Sequence, residues 1–282
     1  MTIRRTCAAG TFYPADSARL REEVERCFGE ALSELSEGGR SLSYPFGLVV
    51  PHAGYRYSGE VAALGYREVY EQGRPEVVVL IGANHTGLGA PLSVAPEEAW
   101  DTPLGPLPVD GELADRLVLA WGAERDGLPF AQEHSVEVQL PFLRYLFGEV
   151  PIVPVVAQFM PAEPARRAGE TLAKAVEGRG ALLVASSDFT HHEPQSTAEA
   201  RDRLALGHIL NLDLDGFLSA VARERITICG PGAIAVLIGA ARRLGLFGAQ
   251  RLAYRTSGDV VGIWEQVVGY AAVALRQVDD VA

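Results

Sequence analysis

Residues 46–59 read FGLVVPHAGYRYSG: an apolar run, a break, a histidine and the start of a helix. Positions 46–50 offer no polar side chain to water, which predicts a strand covered on both faces. Pro51 cannot continue a ladder, His52 follows at once, and Ala53 and Gly54 loosen the chain before apolar residues return at helical spacing. Two later stretches repeat the pattern, 77–85 (VVVLIGANH) and 181–192 (ALLVASSDFTHH). Open α/β sheets hold their ligands outside the carboxyl ends of their strands. Three strand ends that each carry His or Asp therefore predict a site along one edge of a sheet.

Outward from these strands, helical and extended patterns alternate. Helices are expected at 16–35, 58–72, 111–121, 163–177, 198–210, 214–223 and 230–244, with further strands at 152–156, 251–256 and 264–275. Residues 9–13 read as a short extended start, 86–110 as a Gly- and Pro-rich β excursion beside the site, and 133–148 as a helix kinked or begun late at Pro141. Alternation of this kind predicts an α/β fold, a three-layer αβα domain with a largely parallel central sheet. No linker, repeat or low-complexity tract divides residues 1–282, so one domain is expected.

Hydrophobic residues make up 48% and charged residues 22% of the chain, the balance of a globular protein with a sizeable core. The formal charge of −11 argues against nucleic acid as a partner. Apolar runs such as 233–241 fall short of the roughly 20 residues a membrane span needs, and the amino terminus lacks the apolar segment of a signal peptide. Three widely spaced cysteines make no disulfide framework, so a cytoplasmic location is expected.

Of the six histidines, His52, His85, His134 and His191 fall beside strand ends or helix starts. Asp188 and His191, three residues apart, would share a face if their turn is helical, with Asp188 and Ser187 also able to cap it. His191 or His192 could then act as a general base. Cys229, before Gly230 and Pro231, reads as a thiol at a helix amino terminus, where thiolate is favoured. Cys7 and Cys27 read as small buried hydrophobes, and His208 as structural. His134 and Glu137 could face the site together, and Arg56 is the basic residue nearest His52 in sequence. No HExxH, GxxxxGK[ST], GxSxG or GxGxxG occurs, which removes zincin, P-loop, serine-hydrolase and dinucleotide readings.

Taken in order, AGTFYPAD, PHAGYRYSG, GANHTG, EHSVEVQLPFL, SSDFTHH and YRTSGDV resemble the Memo family, whose prokaryotic members are called AmmeMemoRadiSam system protein B. The likeness runs from Ala9 to Leu275. That family is similar in fold to the LigB-like class III extradiol dioxygenases, which use non-haem Fe(II). The resemblance implies metal ligands at His52, His85 and Cys229, with Asp188 and His191 beside the pocket. Where the dioxygenases use a carboxylate, a cysteine stands, and a thiolate suits Fe(II), Cu(I) or Zn(II). Fe(II) is the expected ion, with copper or zinc as alternatives. The family name further implies association with radical-SAM and AMMECR1-like proteins.

Three functions follow as expectations. The first is a metal-dependent redox enzyme, with His191 as acid and base, Asp188 orienting it or reaching a ligand, and His134 completing the polar wall. The second is a non-catalytic metal- or peptide-binding protein, since eukaryotic members of the family are linked to signalling. The third is a hydrolase that uses Cys229, His191 and Asp188 without metal.

Overall fold

The computed structural model describes residues 2–29 and 40–278. In chain order the first elements are β1 (Ile3–Arg4), α1 (Ser17–Phe28), β2 (Phe46–Val50), α2 (Tyr55–Gln72) and β3 (Val77–Ala83). The short strands β4 (Leu92–Val94), β5 (Ala99–Trp100) and β6 (Leu107–Pro108) follow, then α3 (Gly111–Trp121), α4 (Leu140–Phe147), β7 (Ile152–Ala157) and α5 (Ala162–Ala175). After β8 (Ala181–Ser186) and β9 (His191–Glu193) come α6 (Gln195–Leu210), α7 (Leu214–Arg223) and α8 (Pro231–Leu244). The chain then runs through β10 (Gly248–Thr256), α9 (Ser257–Val261) and β11 (Val267–Arg276).

The main sheet has the order β10–β11–β2–β8–β3–β7–β4, with β9 paired to β11. Its four central strands, β2, β8, β3 and β7, are parallel. The flanks are antiparallel, β10 and β11 on one side and β4 on the other. The parallel strands read as unbroken apolar runs because helices cover both faces. Val77, Val79 and Ile81 pack towards α3, α5, α6, α7 and α8, while Val78 and Leu80 pack towards α1, α2 and α4. This period-two division of one strand between two helical layers is the αβα fold.

The structure alters several details. Residues 9–13 form a tight turn around Gly10 (φ 83°), not a strand. The expected excursion splits: β4 joins the main sheet, while β5 pairs with β1 on one side and β6 on the other in a small separate sheet. Residues 133–136 are not helical; a 3-10 turn, Glu137–Gln139, leads into α4 with Pro141 in its first turn, where a missing N–H costs nothing. α2 begins at Tyr55, three residues before the expected start. The part of the first expected helix from 30 to 35 lies outside the described residues. Gly59, within α2, is a close-contact position, because a Cβ there would lie 2.5 Å from Cys27 Sγ on α1.

Candidate metal centre

The strands β2, β8 and β3 are neighbours, and their registers align Val50 with Ser186 and Ala185 with Ile81. Their carboxyl ends therefore lie side by side, and His52, Asp188 and His85 follow just past them. Cys229 joins them from the lead-in to α8. Its backbone N–H donates to Asp188 O (3.3 Å), and its Sγ accepts from Asp188 N–H (3.1 Å). Gly230 permits this approach, since a Cβ there would lie 2.8 Å from Ser187 Cβ.

One ligand atom from each of His52, His85 and Cys229 lies within 4.8 Å of the other two. Cys229 Sγ is 3.1 Å from His52 Nε2. Nitrogen and thiolate ligands bind transition ions at about 2.0–2.3 Å, so two ligands of one ion stand up to roughly 4.5 Å apart. Two imidazoles and a thiolate at these separations fit a borderline or soft ion.

Both histidines are held from behind. His85 donates its backbone N–H to Glu133 Oε2 (2.7 Å) and Nδ1–H to Glu133 Oε1 (2.9 Å). A carboxylate can only accept, so in the neutral His85 ring Nε2 carries the lone pair. Glu133 is buried and also accepts Ser135 N–H (2.8 Å). Gly82 lets residues 133–136 lie against the end of β3, because a Cβ there would lie 2.3 Å from Ser135 Oγ. His52 is buried, with Nδ1 3.0 Å from Ser186 Oγ. Its backbone N–H and that of Ala53 donate to Asp188 Oδ1 at 2.7 and 3.2 Å.

His134 stacks on His85 (centroids 4.7 Å apart, 10° between planes), and Phe12 stacks on the other side of it (4.2 Å, 24°). His85, Glu133 and His134 also bring donor atoms close together. They do not form a second ion site, because an imidazole binds along a lone pair in its own plane. Two parallel stacked rings cannot both aim in plane at one ion. The ring of His134 makes no hydrogen bond among the described residues; its Nδ1 is 3.8 Å from Glu133 Oε1. His191 Nδ1 lies 2.7 Å from Phe189 O and 2.9 Å from Thr227 O, so it carries the proton and leaves Nε2 as the acceptor.

Burial sets most of the electrostatics. It holds His52 down to about 3, aided by His85, and His134 down to about 4, aided by His52 and His85. Burial opposes charge on His85 too, but the Glu133 hydrogen bond and charge outweigh it and raise the pKa. Burial works against Glu133 ionisation, yet His85 and the backbone N–H groups of Ser135 and His85 hold its carboxyl at about 2. Asp188 is raised by burial despite the N–H groups of His52 and Ala53.

Against expectation, Asp188 and His191 do not share a helical face. Residues 187–190 are irregular, and His191 opens β9 because its backbone pairs with Val268. The Asp188 carboxylate instead anchors the turn after β2. The Cys229 thiol is raised and not lowered, because burial and the Asp188 carboxylate outweigh the favourable Ser187 and Asp188 N–H contacts. The imidazole hydrogen-bonded to the thiol is His52, not His191. Glu137 turns away from the site, where it binds Arg4 (2.6 Å), Tyr13 OH (2.6 Å) and the backbone N–H groups of Cys7 and Ala8. Arg56 is exposed and lies over the Tyr57 ring, and His192 is exposed. His208 pairs with Asp213 at 2.9 Å, a structural role as expected. Glu133, Ser186 and Gln139 are the supports that sequence reading missed. Their one signal was polarity at positions next to apolar strand or helix residues.

A mixed sheet in an αβα sandwich, with imidazoles and a thiol converging at its carboxyl edge, defines an α/β protein with a candidate metal pocket. The family model described as Memo-like protein matches residues 4–274. A MEMO1 family protein of Methanopyrus kandleri is 42% identical, over 97% of this chain and 99% of its own. One from Thermotoga maritima is 41% identical, over 96% and 99%. This chain belongs to the Memo family. A crystal structure of an uncharacterized protein from Escherichia coli K12 shares the fold, with a TM-score of 0.57 and 16% identity over 84% of this chain and all (100%) of its own. Among the described residues no helix is long and apolar enough to cross a membrane.

Proposed function

We propose that this Memo protein binds one metal ion through His52 Nε2, His85 Nε2 and Cys229 Sγ, and that the ion serves redox chemistry on a small oxidisable molecule. Fe(II) heads the proposal, with Cu(I) and Zn(II) as ions the same donors suit. The observation that carries it is the approach of three ligand atoms to within 4.8 Å of one another. When bound, a redox-active ion would supply electron transfer and Lewis acidity to the substrate.

The surrounding residues have separate tasks in this reading. His52 is neutral at pH 7, with a pKa near 3, so no proton competes for its lone pair. The ring of His134 has no hydrogen-bond partner among the described residues and, held down to about 4, is neutral at pH 7, so it can accept a proton from a substrate hydroxyl beside His85. His191 keeps Nδ1–H on two carbonyl oxygens, leaving Nε2 to take or return a proton. Asp188 spends Oδ1 on the His52 turn, and Oδ2 is the oxygen left to orient substrate.

Anaerobic purification with metal analysis tests the proposal. Near-stoichiometric metal in the wild type, lost in both His52→Ala and Cys229→Ala, is the expected result. Absence of metal from all three proteins after Fe(II), Cu(I) and Zn(II) are supplied in turn would refute it.

A further inference from the structure

We propose that Ser186 is a positioning residue, held by Gln139 and Tyr66, that fixes His52 as its Nδ1–H tautomer and so aims the Nε2 lone pair at Cys229. The assignment rests on counting protons in a buried chain of hydrogen bonds. It deepens the metal-site reading above, yet it concerns the metal-free protein and can be tested there.

Ser186 Oγ has three polar neighbours besides its own backbone: Ser135 O at 2.6 Å, Gln139 Nε2 at 2.8 Å and His52 Nδ1 at 3.0 Å. A hydroxyl has one proton and two lone pairs. Ser135 O is a carbonyl and can only accept, so the hydroxyl proton is spent there. The Gln139 amide is oriented independently. Its Oε1 accepts from Tyr66 OH (2.9 Å), and its Nε2 donates to Pro51 O (2.9 Å) as well as to Ser186. What remains on Ser186 Oγ is a lone pair, and it faces His52 Nδ1.

His52 must therefore donate through Nδ1–H. In the other tautomer two lone pairs would meet at 3.0 Å in a fully buried setting, with Ser186 and Gln139 both at 0% exposure. An unmade buried hydrogen bond of this kind corresponds to roughly a ten- to hundredfold population difference. Histidine in water favours Nε2–H, so the fold reverses the intrinsic preference. Among the described residues, the one hydrogen-bond contact of Nε2 is with Cys229 Sγ, at 3.1 Å.

The same chain ties the two histidines together. The Ser135 carbonyl takes the Ser186 proton, while the Ser135 N–H (2.8 Å) goes to Glu133, the carboxylate that holds His85. The backbone of one residue, Ser135, thus braces both imidazoles, its C=O through Ser186 and its N–H through Glu133. His52, the more deeply buried ring, uses a neutral hydroxyl where His85 uses a carboxylate.

Long-range 1H–15N correlation spectra of metal-free protein with 15N-labelled histidine read the tautomer directly. The six histidines are assigned by single substitutions. The wild type is expected to show His52 with protonated Nδ1 and bare Nε2. Ser186→Ala should mix the tautomers and weaken metal uptake roughly tenfold or more, and Gln139→Met should move the His52 signals in the same direction to a smaller extent. A wild-type His52 protonated on Nε2 overturns the assignment whatever the variants do. A Ser186→Ala protein that folds and keeps pure Nδ1–H overturns it too. Wild-type Nδ1–H in a protein that takes up no metal would support this assignment while removing the metal-site reading.

Discussion

Replacing Glu133 with glutamine should weaken the site and the fold together, with a pH signature that identifies the cause. Glu133 accepts three hydrogen bonds and donates none: His85 Nδ1–H at 2.9 Å, His85 N–H at 2.7 Å and Ser135 N–H at 2.8 Å. A glutamine offers one oxygen and one NH2 group. If its oxygen serves Oε1, the NH2 meets the His85 backbone N–H; if flipped, it forces the His85 ring into the wrong tautomer. The drop of the Glu133 carboxyl from 4.5 to about 2 corresponds to about 3 kcal/mol of native-state stability at neutral pH. Because the folded value lies below the unfolded one, that contribution is complete above 4.5 and disappears as pH falls from 4.5 towards 2. Urea denaturation of metal-free wild type and Glu133→Gln should therefore differ by about 3 kcal/mol at pH 7, and the gap should narrow steadily below pH 4.5. Metal affinity at pH 7 should fall by roughly ten- to hundredfold. A gap that is absent, or that stays constant across the acid range, would refute the assignment of Glu133 as the ionised anchor of His85.

Two further substitutions probe the scaffold. Gly59→Ala places a Cβ against Cys27 Sγ, so it should cost about 1–3 kcal/mol in urea titration, and adding Cys27→Ala should recover part of the loss; simple additivity would contradict the contact. Arg4→Met leaves Glu137 buried without its cation, at a cost of about 3–5 kcal/mol. Glu137 is itself held below the usual carboxylate range, where burial is outweighed by hydrogen bonds from Tyr13 and Arg4, so the wild type should lose stability as pH falls through the carboxylate range. Arg4→Met should flatten that acid limb, and an unchanged limb would mean that the pair does not couple.

Much of the architecture was legible beforehand because burial on both faces writes itself into composition. The runs 46–50, 77–81 and 182–185 are apolar at every position, and each proved to be a central parallel strand. Edge elements were harder. β9 carries His191, His192 and Glu193, which have no strand signature, and it exists because their backbone pairs with β11. Residues 133–136 kept a helical period yet adopt no helix, since the Glu133 side chain takes the Ser135 and His85 N–H groups.

The site divides along the same line. Sequence alone determined that histidines and an aspartate follow strands whose carboxyl ends share one edge, because strand polarity in a parallel sheet leaves them no other place. Local order could not determine what lies behind each ring. Glu133 is 48 residues from His85, and Ser186 is 134 residues from His52. Tertiary packing alone decided that a carboxylate braces one imidazole and a hydroxyl the other, that Glu137 faces Arg4, and that the Cys229 thiol is raised. Hydrogen-bond direction and desolvation are properties of assembled neighbours, and neither has a period along the chain.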